Sequence, residues 1–121
     1  MEKAVLMAMS VLITVALVGC AGAENYGAVV DKSIQVMKVK DIFLDRNVVG
    51  KRVALKGTIS SQCASNGCWF VLQDDTGQIF INLKPSNMTM PPRMNKTAKV
   101  MGVVYPVQGE LQLIAQGVEV R

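Results

Sequence analysis

The chain has 121 residues, of which 50% are hydrophobic, and its formal net charge is +4 at pH 7 with no histidine. This length suffices for one small domain preceded by a leader, and it excludes a two-domain architecture. The mild positive charge is scattered, which is typical of a solvated surface rather than of a nucleic-acid-binding stripe. Without histidine, a cysteine or serine nucleophile would lack its usual general base.

The start of the chain has the layout of an export signal. Lys3 precedes an apolar run from Ala4 to Val18, and small residues follow it. The run covers 15 residues, whereas a helix needs roughly 20 to cross a bilayer core. No cluster of basic residues comes after the run to hold it in a membrane. We therefore expect residues 1–19 to be a signal peptide that is cleaved on export.

The four residues that end this segment point to a lipid anchor. Leu17-Val18-Gly19-Cys20 resembles the bacterial lipobox, in which the cysteine is acylated and becomes the mature N-terminus. Cleavage after Ala23 is the alternative. Of the three cysteines, a lipidated Cys20 leaves an even pair. We expect an anchor and tether over residues 20–33, a domain over residues 34–121, and a location on the periplasmic side of a bacterial membrane.

Five strand-like segments make up the chain from Val53 onward. The first alternates apolar and polar residues over VALKGTIS, the period-two pattern of a half-buried strand. Turn residues separate the others, which are CWFVLQ, QIFINL, AKVMGVVY and ELQLIAQGVEV. Five strands in about 70 residues match a small closed barrel. Before them, VKDIFLDRNVVGK predicts a short helix with Ile42, Phe43 and Leu44 buried.

A four-residue turn over residues 74–77 predicts how the second and third strands pair. In this register Trp69 faces Asn82 and Val71 faces Phe80. The core face then carries five apolar side chains, namely Phe70, Leu72, Ile79, Ile81 and Leu83. Trp69, Val71 and Phe80 lie on the opposite face of the sheet.

Cys63 and Cys68 flank the segment Ala64–Gly67. If this segment is a hairpin loop, the two cysteines face each other with Cβ atoms about 4.5 to 5.5 Å apart, which local twist can close to a disulfide. In a loop this small, the disulfide would stabilise the folded protein by about 2 kcal/mol. We expect a disulfide that stiffens the loop. A thioredoxin-like redox role is disfavoured, because the spacing is not Cys-x-x-Cys and no helix follows the first cysteine.

The stretch KRVALKGTISSQCASNGCWFVLQDDTGQIFINL, which follows DIFLDRNVVG, resembles a group of exported bacterial OB-fold proteins. The shared pattern is G-T-[IV]…C…G-C-W…L-x-D…G, it extends over residues 36–121, and its most specific part is Gly67-Cys68-Trp69. The resemblance implies an all-β, five-stranded Greek-key barrel with a short N-terminal helix, and it brings no function with it. The chain departs from many OB-folds in KPSNMTMPPRMNK, whose prolines predict no regular helix between strands three and four.

Three methionines in that segment raise a metal hypothesis. Met88-Thr89-Met90, with Met94 nearby, is similar to the Met-x-Met ligand pair of periplasmic OB-fold copper chaperones, and thioethers suit soft Cu(I). That family also uses a histidine and a tryptophan just before the methionines, whereas this chain has Pro85 three residues before Met88. The competing interpretation is that the methionines fill the open end of the barrel, which is the commoner use of such a cluster.

A second hypothesis concerns the face that carries Trp69, Val71 and Phe80. OB-folds bind ligands across strands two and three, where aromatic side chains stack on bases or sugars. We expect three cations to flank this face, namely Lys56, Lys84 and Arg93. The alternative is that the N-terminal helix or the tether covers the face and makes it a second small core. For an exported lipoprotein, an envelope protein, peptide or glycan is a better partner than nucleic acid.

No catalytic constellation emerges from the sequence. Asp74 and Asp75 are interpreted as turn residues, and Asp41 and Asp45 as the exposed side of a helix; no phosphate-binding loop or nucleophile elbow is found. We therefore expect a membrane-anchored, non-enzymatic OB-fold binding or interaction module that needs no cofactor. The alternatives are a Cu(I)-binding protein with methionine and cysteine ligands, and an OB-fold that binds oligonucleotides or oligosaccharides.

Overall fold

A computed structural model describes residues 22–121. The predicted signal peptide and the predicted lipidation site at Cys20 lie outside these described residues. Within residues 22–121, no helix combines the length and the apolar character that a membrane span requires.

The elements of this region are mostly strands. In chain order they are β1 (Glu24–Gly27), β2 (Val36–Met37), α1 (Val39–Leu44), β3 (Arg52–Gln62), β4 (Trp69–Gln73), β5 (Gln78–Asn82), β6 (Thr97–Val107) and β7 (Glu110–Val120). Short 3-10 turns lie at Arg46–Val48 and Lys84–Ser86. The segment between β5 and β6 contains no α-helix, as its prolines predict.

Five of the strands close into a barrel. β3 pairs antiparallel with β4 and β6, β5 pairs antiparallel with β4, and β7 pairs antiparallel with β6 and parallel with β5. The order around the ring is therefore β3, β4, β5, β7, β6 and back to β3. This is the Greek-key barrel of the OB-fold. The predicted all-β OB-fold with a short helix before the barrel is confirmed.

The barrel interior holds the side chains that the strand pattern predicts. Burial alternates along β4 and β5 with the period of two expected for strands. All five predicted core residues of this hairpin are at most 2% exposed, namely Phe70, Leu72, Ile79, Ile81 and Leu83. The register is also as predicted, with Trp69 opposite Asn82 and Val71 opposite Phe80. Trp69, Val71 and Phe80 therefore lie outside the barrel core.

Helix α1 buries different residues from those predicted. Ile42 is completely buried, but Phe43 is 48% and Leu44 77% exposed. The helix has six residues, so it is less than two turns long, and only residues three or four apart share a face. Val39 and Ile42 share the inward face. The prediction for Phe43 and Leu44 was wrong because consecutive helical residues point in different directions.

Strand β1 lies in the segment that was expected to be a tether. Glu24 pairs with Val120 of β7, and Gly27 pairs with Gly117. Gly27 has φ of +70°, and a Cβ there would come within 2.6 Å of the Gln116 carbonyl oxygen. Only glycine fits this close approach without strain. Part of the segment predicted to be a tether, Glu24–Gly27, is therefore paired with the barrel strand β7.

Candidate binding face and cysteine loop

Trp69 and Phe80 stack on the outer surface of the β4–β5 hairpin. Their ring centroids are 5.3 Å apart and their planes are inclined by 26°, which is within the offset-stacked range of aromatic pairs. Phe80 is directly opposite Val71, so the Trp69–Phe80 contact runs diagonally between the strands. All three side chains are half-buried. We call Trp69, Val71 and Phe80 the aromatic face.

A groove of about 470 Å³ continues from Phe80 towards helix α1 and the β6–β7 turn. Its apolar lining comes from Ile79 and Phe80 of β5, Phe43 of α1 and Leu111 of β7. Phe43 thus forms a wall of a surface groove instead of entering the core. The sequence did not predict this groove, because it depends on the direction in which one helical side chain points and on the proximity of β7.

The three cations expected beside the aromatic face lie in different places. Lys84 begins the 3-10 turn directly after β5 and is close enough for its charge to act on Cys68. Lys56 pairs with Lys99 across β3 and β6 and lines a separate groove of about 580 Å³ that contains no residue of the aromatic face. Its other lining residues are Lys32, Val36, Thr97, Lys99, Glu119 and Arg121. The expectation that Lys56 flanks the aromatic face was therefore wrong.

Arg93 is engaged in an ion pair on another part of the surface. Its Nη2 lies 3.0 Å from a carboxylate oxygen of Glu24 in β1, and its Nε donates to the same carboxylate at 3.1 Å. The hydrogen bond from Arg93 holds the pKa of Glu24 below its usual value. Arg93 is therefore not a free cation beside the aromatic face. Of the three expected cations, Lys84 is the one that follows the β4–β5 hairpin directly.

The cysteine loop, residues 63–68, connects β3 to β4 in a register that differs from the predicted one. Ile59 faces Leu72 as predicted, but a bulge then places Ser61 opposite Val71 rather than Phe70. The backbone N–H of Cys63 donates to the Trp69 carbonyl oxygen at 3.1 Å. Cys63 is therefore not directly opposite Cys68. The prediction failed because a β-bulge adds one unpaired residue to a strand, and alternation alone does not reveal it.

The loop nevertheless brings the two thiols into contact. The Sγ atoms of Cys63 and Cys68 are 3.7 Å apart, and both cysteines are free and half-buried. A disulfide requires a separation of about 2.05 Å, so the predicted disulfide stays a prediction.

The two thiols lie in different electrostatic environments. The backbone N–H of Asn66, the Ser65 hydroxyl and the backbone N–H groups of Cys68 and Ser65 lower the pKa of Cys63 from 9.0 to about 6. The pKa of Cys68 is raised, first by the hydrogen bond it donates to Cys63 and then by burial, while Lys84 acts in the opposite direction. The loop therefore favours the thiolate form at Cys63 and the protonated form at Cys68.

Backbone contacts fix the end of the loop that carries Cys68. The N–H of Met90 donates to the Gly67 carbonyl at 3.0 Å, and the N–H of Leu83 donates to the Cys68 carbonyl at 3.0 Å. Gly67 has φ of +55°, and a Cβ there would lie 1.9 Å from the Met90 carbonyl oxygen. The Gly-Cys-Trp sequence thus requires its glycine, because the segment before β6 approaches the backbone of this residue too closely for a side chain.

The three methionines are divided between the core and the surface. Met88 is 8% and Met90 4% exposed, and both belong to the hydrophobic core. Met94 is 47% exposed and lines a different groove with Glu24 and Arg93. Among residues 22–121, no three His, Cys, Asp or Glu side chains cluster as metal ligands. The core interpretation is confirmed for Met88 and Met90, and Met94 lies apart from them.

Comparisons with solved structures support the barrel assignment. The chain is similar to the hypothetical protein ygiW from E. coli, with a TM-score of 0.57 and 18% identity, covering 78% of this chain and 99% of that chain. It is also similar to part of a protein assigned as an aspartyl-tRNA synthetase from Leishmania major Friedlin, with a TM-score of 0.57 and 13% identity, covering 77% of this chain and 22% of that chain. Such low identities show the fold alone. Searches of protein-family models and of curated proteins gave no match.

Proposed function

We propose that this OB-fold domain is a binding module that holds a polypeptide segment of a partner on the aromatic face and in the adjoining groove. The observation that carries the proposal is the stacked, half-buried pair Trp69–Phe80, which continues into a groove walled by Phe43 and Leu111. Apolar clusters of this kind on a domain surface mark interaction sites. Large aromatics at the centre of such sites contribute most of the binding energy.

Helix α1 flanks the aromatic face without burying it. Phe43 lines one side of the groove and remains 48% exposed. The groove is open to solvent, since Gln78 and Glu110 at its border are also exposed. A second core under the helix would require these side chains to be covered. The arrangement therefore favours an accessible binding surface over the alternative of a covered one.

The charge distribution favours a polypeptide over a nucleic acid. Phosphate contacts to Lys and Arg supply most of the affinity of sequence-independent nucleic-acid binding. Of the three expected cations, only Lys84 follows the hairpin of the aromatic face, because Lys56 lines another groove and Arg93 is paired with Glu24. The walls formed by Phe43, Phe80 and Leu111 suit an apolar side chain better than a sugar, whose hydroxyl groups need polar partners.

The domain is also proposed to work at a membrane surface, and its binding function requires neither catalytic turnover nor a cofactor. The support for anchoring is the Leu17–Cys20 lipobox pattern at the end of a short apolar run. Mass spectrometry of the mature N-terminus tests it, and we expect acylated Cys20 as the first residue. A mature chain that begins at Glu24, or one that retains Met1, would contradict the anchor.

A peptide library, a glycan array and single-stranded oligonucleotides, screened in parallel against the full exported protein, test the binding function. We expect peptides with an apolar or aromatic anchor residue to bind and to change the fluorescence of Trp69. Phe80→Ala should weaken this binding by about thirtyfold, which corresponds to loss of a hot spot of about 2 kcal/mol.

The matched control is Tyr105→Ala, because Tyr105 is an exposed aromatic residue outside the groove. This variant should bind the same peptides with unchanged affinity. Binding of glycans or oligonucleotides alone would overturn the assignment of a polypeptide ligand. Peptide binding that Phe80→Ala leaves unchanged would overturn the assignment of the site.

A further inference from the structure

We propose that Cys63 and Cys68 form a redox-active dithiol that exchanges electrons with the thiols and disulfides of other molecules. This activity goes beyond the binding function and does not depend on it. A structural disulfide would need only two sulfurs within bonding reach. The cysteine loop has further features that a passive cross-link does not require.

The first feature is the convergence of donors on one of the two sulfurs. The thiol of Cys68 lies 3.7 Å from the Cys63 sulfur, and the nearby backbone N–H groups of Asn66, Cys68 and Ser65 contribute to the lowered pKa of Cys63. The Ser65 hydroxyl lies 3.6 Å from the same atom. Concave arrangements of successive backbone N–H groups stabilise anions. The loop therefore stabilises Cys63 as a thiolate, which is the form that attacks disulfides.

The second feature is that the two thiols are in contact beside an exposed loop tip. The loop tip between them, Ala64–Asn66, is exposed. Backbone hydrogen bonds hold both ends of the loop, from Cys63 to Trp69 at one end and from Met90 and Leu83 to Gly67 and Cys68 at the other. The thiol of Cys68 donates to the Cys63 sulfur across 3.7 Å. Cys63 thus suits the attacking role, and Cys68 is already in place to resolve the product.

The exchange consists of two displacements at sulfur. The Cys63 thiolate attacks one sulfur of an incoming disulfide, whose S–S bond breaks, and the leaving sulfur departs as a thiolate that takes a proton from water. Cys68 then loses its proton to water and attacks the Cys63 sulfur, so that the second substrate sulfur leaves as a thiolate. A Cys63–Cys68 disulfide has formed. Two electrons have passed from the protein dithiol to the substrate disulfide, and every step is reversible.

The stabilised thiolate sets the preferred direction. A group that stabilises the reduced form makes the corresponding disulfide a better oxidant. The closed pair should therefore accept two electrons from a partner dithiol readily. The proposed exchange depends on the proximity of the two cysteine sulfurs and on the stabilised thiolate, and it does not require Cys-x-x-Cys spacing. This exchange is a chemical activity that the residue pattern did not predict.

Equilibration of the full exported protein with glutathione redox buffers is the direct test, with peptide mapping to separate Cys20 from the pair. We expect the Cys63–Cys68 disulfide to open in millimolar reduced glutathione and to close again in oxidised glutathione. In Cys68→Ser, a mixed disulfide with glutathione should accumulate on Cys63. In Cys63→Ser, much less of the mixed disulfide with glutathione should accumulate on Cys68. A pair that stays closed in reduced glutathione is a structural staple and would overturn the proposal.

The rate of alkylation as a function of pH provides an independent measurement. The groups that act on the pair are the loop amides, Ser65 and Lys84. With a pKa of about 6, the alkylation rate of Cys63 in Cys68→Ser should rise only about twofold between pH 6 and pH 8. A thiol near its ordinary pKa would show a rise of about eightyfold. If the alkylation rate of Cys63 rose as steeply as that of an ordinary thiol, Cys63 would not be the stabilised thiolate that the proposal requires.

Discussion

The carboxylate of Asp74, in the turn between β4 and β5, accepts a hydrogen bond from the backbone N–H of Val39, the first residue of α1, at 2.8 Å. The N-cap residue Lys38 offers no side-chain cap of its own. Asp74 also accepts bonds from the backbone N–H groups of Thr76 and Gly77 at 2.7 and 3.1 Å. One carboxylate thus joins the hairpin of the aromatic face to the helix that walls the groove.

Replacement of Asp74 should make the protein less stable in a pH-dependent way. Burial alone would raise the pKa of Asp74, but hydrogen bonds from Thr76, Val39 and Gly77 outweigh it and leave the pKa lowered from 3.8. The stabilisation is therefore complete above the unfolded-state pKa of about 3.9 and is lost as the pH falls through the lower folded-state value. Asp74→Asn should lower the free energy of unfolding at pH 7 by about 1 to 3 kcal/mol.

Urea unfolding at pH 7 and pH 3 provides the measurement. The difference between wild type and Asp74→Asn should shrink at the lower pH, because Asp74 of the unfolded chain binds a proton below its ordinary pKa and the stabilisation from the ionised carboxylate is then progressively lost. Asp75→Asn is the control, since the Asp75–Lys38 salt bridge is exposed and such pairs contribute at most about 1 kcal/mol. Equal losses for the two variants at pH 7 would show that Asp74 does not cap the helix.

Ile42 and Leu44 provide a second pair of matched variants, on α1. Ile42 is completely buried and Leu44 is 77% exposed. Ile42→Ala should cost about 2 to 5 kcal/mol of unfolding free energy. Leu44→Ala should change it by no more than about 0.5 kcal/mol. Thermal and denaturant unfolding measure both changes. A large loss of unfolding free energy for Leu44→Ala would mean that the helix is rotated about its axis so that Leu44 faces the core.

Gly67 tests the contact that fixes the cysteine loop. Alanine at Gly67 or at Gly50 would adopt a positive φ, which costs roughly 1 to 2 kcal/mol. At Gly50 no heavy atom lies within 4 Å of the added Cβ, whereas at Gly67 the Met90 carbonyl oxygen lies 1.9 Å away. Gly67→Ala should therefore cost clearly more stability than Gly50→Ala and should disturb the two thiols. Similar losses would show that the loop can move away from Met90.

The double substitution of Met88 and Met90 by leucine separates the core role from the copper hypothesis. Both side chains are in the barrel core, and leucine conserves their volume, so each change should cost less than about 1.5 kcal/mol. Leucine cannot bind Cu(I) through a thioether. Anaerobic Cu(I) titration should give the same uptake before and after the substitution. Tight binding that disappears in the double variant would restore the metal hypothesis.

The sequence predicted the hairpin of the aromatic face well, because its pairing depends only on alternation and on one polar turn. Leu72 and Ile79 are buried and Trp69 faces Asn82, as that pattern requires. Features that the alternation of apolar and polar residues does not encode were not predictable. The bulge after Ile59 changed the position of Cys63, and the engagement of Arg93 depends on a strand formed by residues that sequence patterns assigned to a tether.

Quenching of Trp69 fluorescence by acrylamide, a neutral quencher, tests the central claim most directly, because this is the only tryptophan of the chain. An open aromatic face predicts efficient quenching in the free protein and protection when a selected peptide is bound. Trp69→Ala should then weaken peptide binding while leaving the barrel folded. A Trp69 that is shielded in the free protein, together with a loss of about 3 to 5 kcal/mol in Trp69→Ala, would identify a buried core residue and contradict the binding surface.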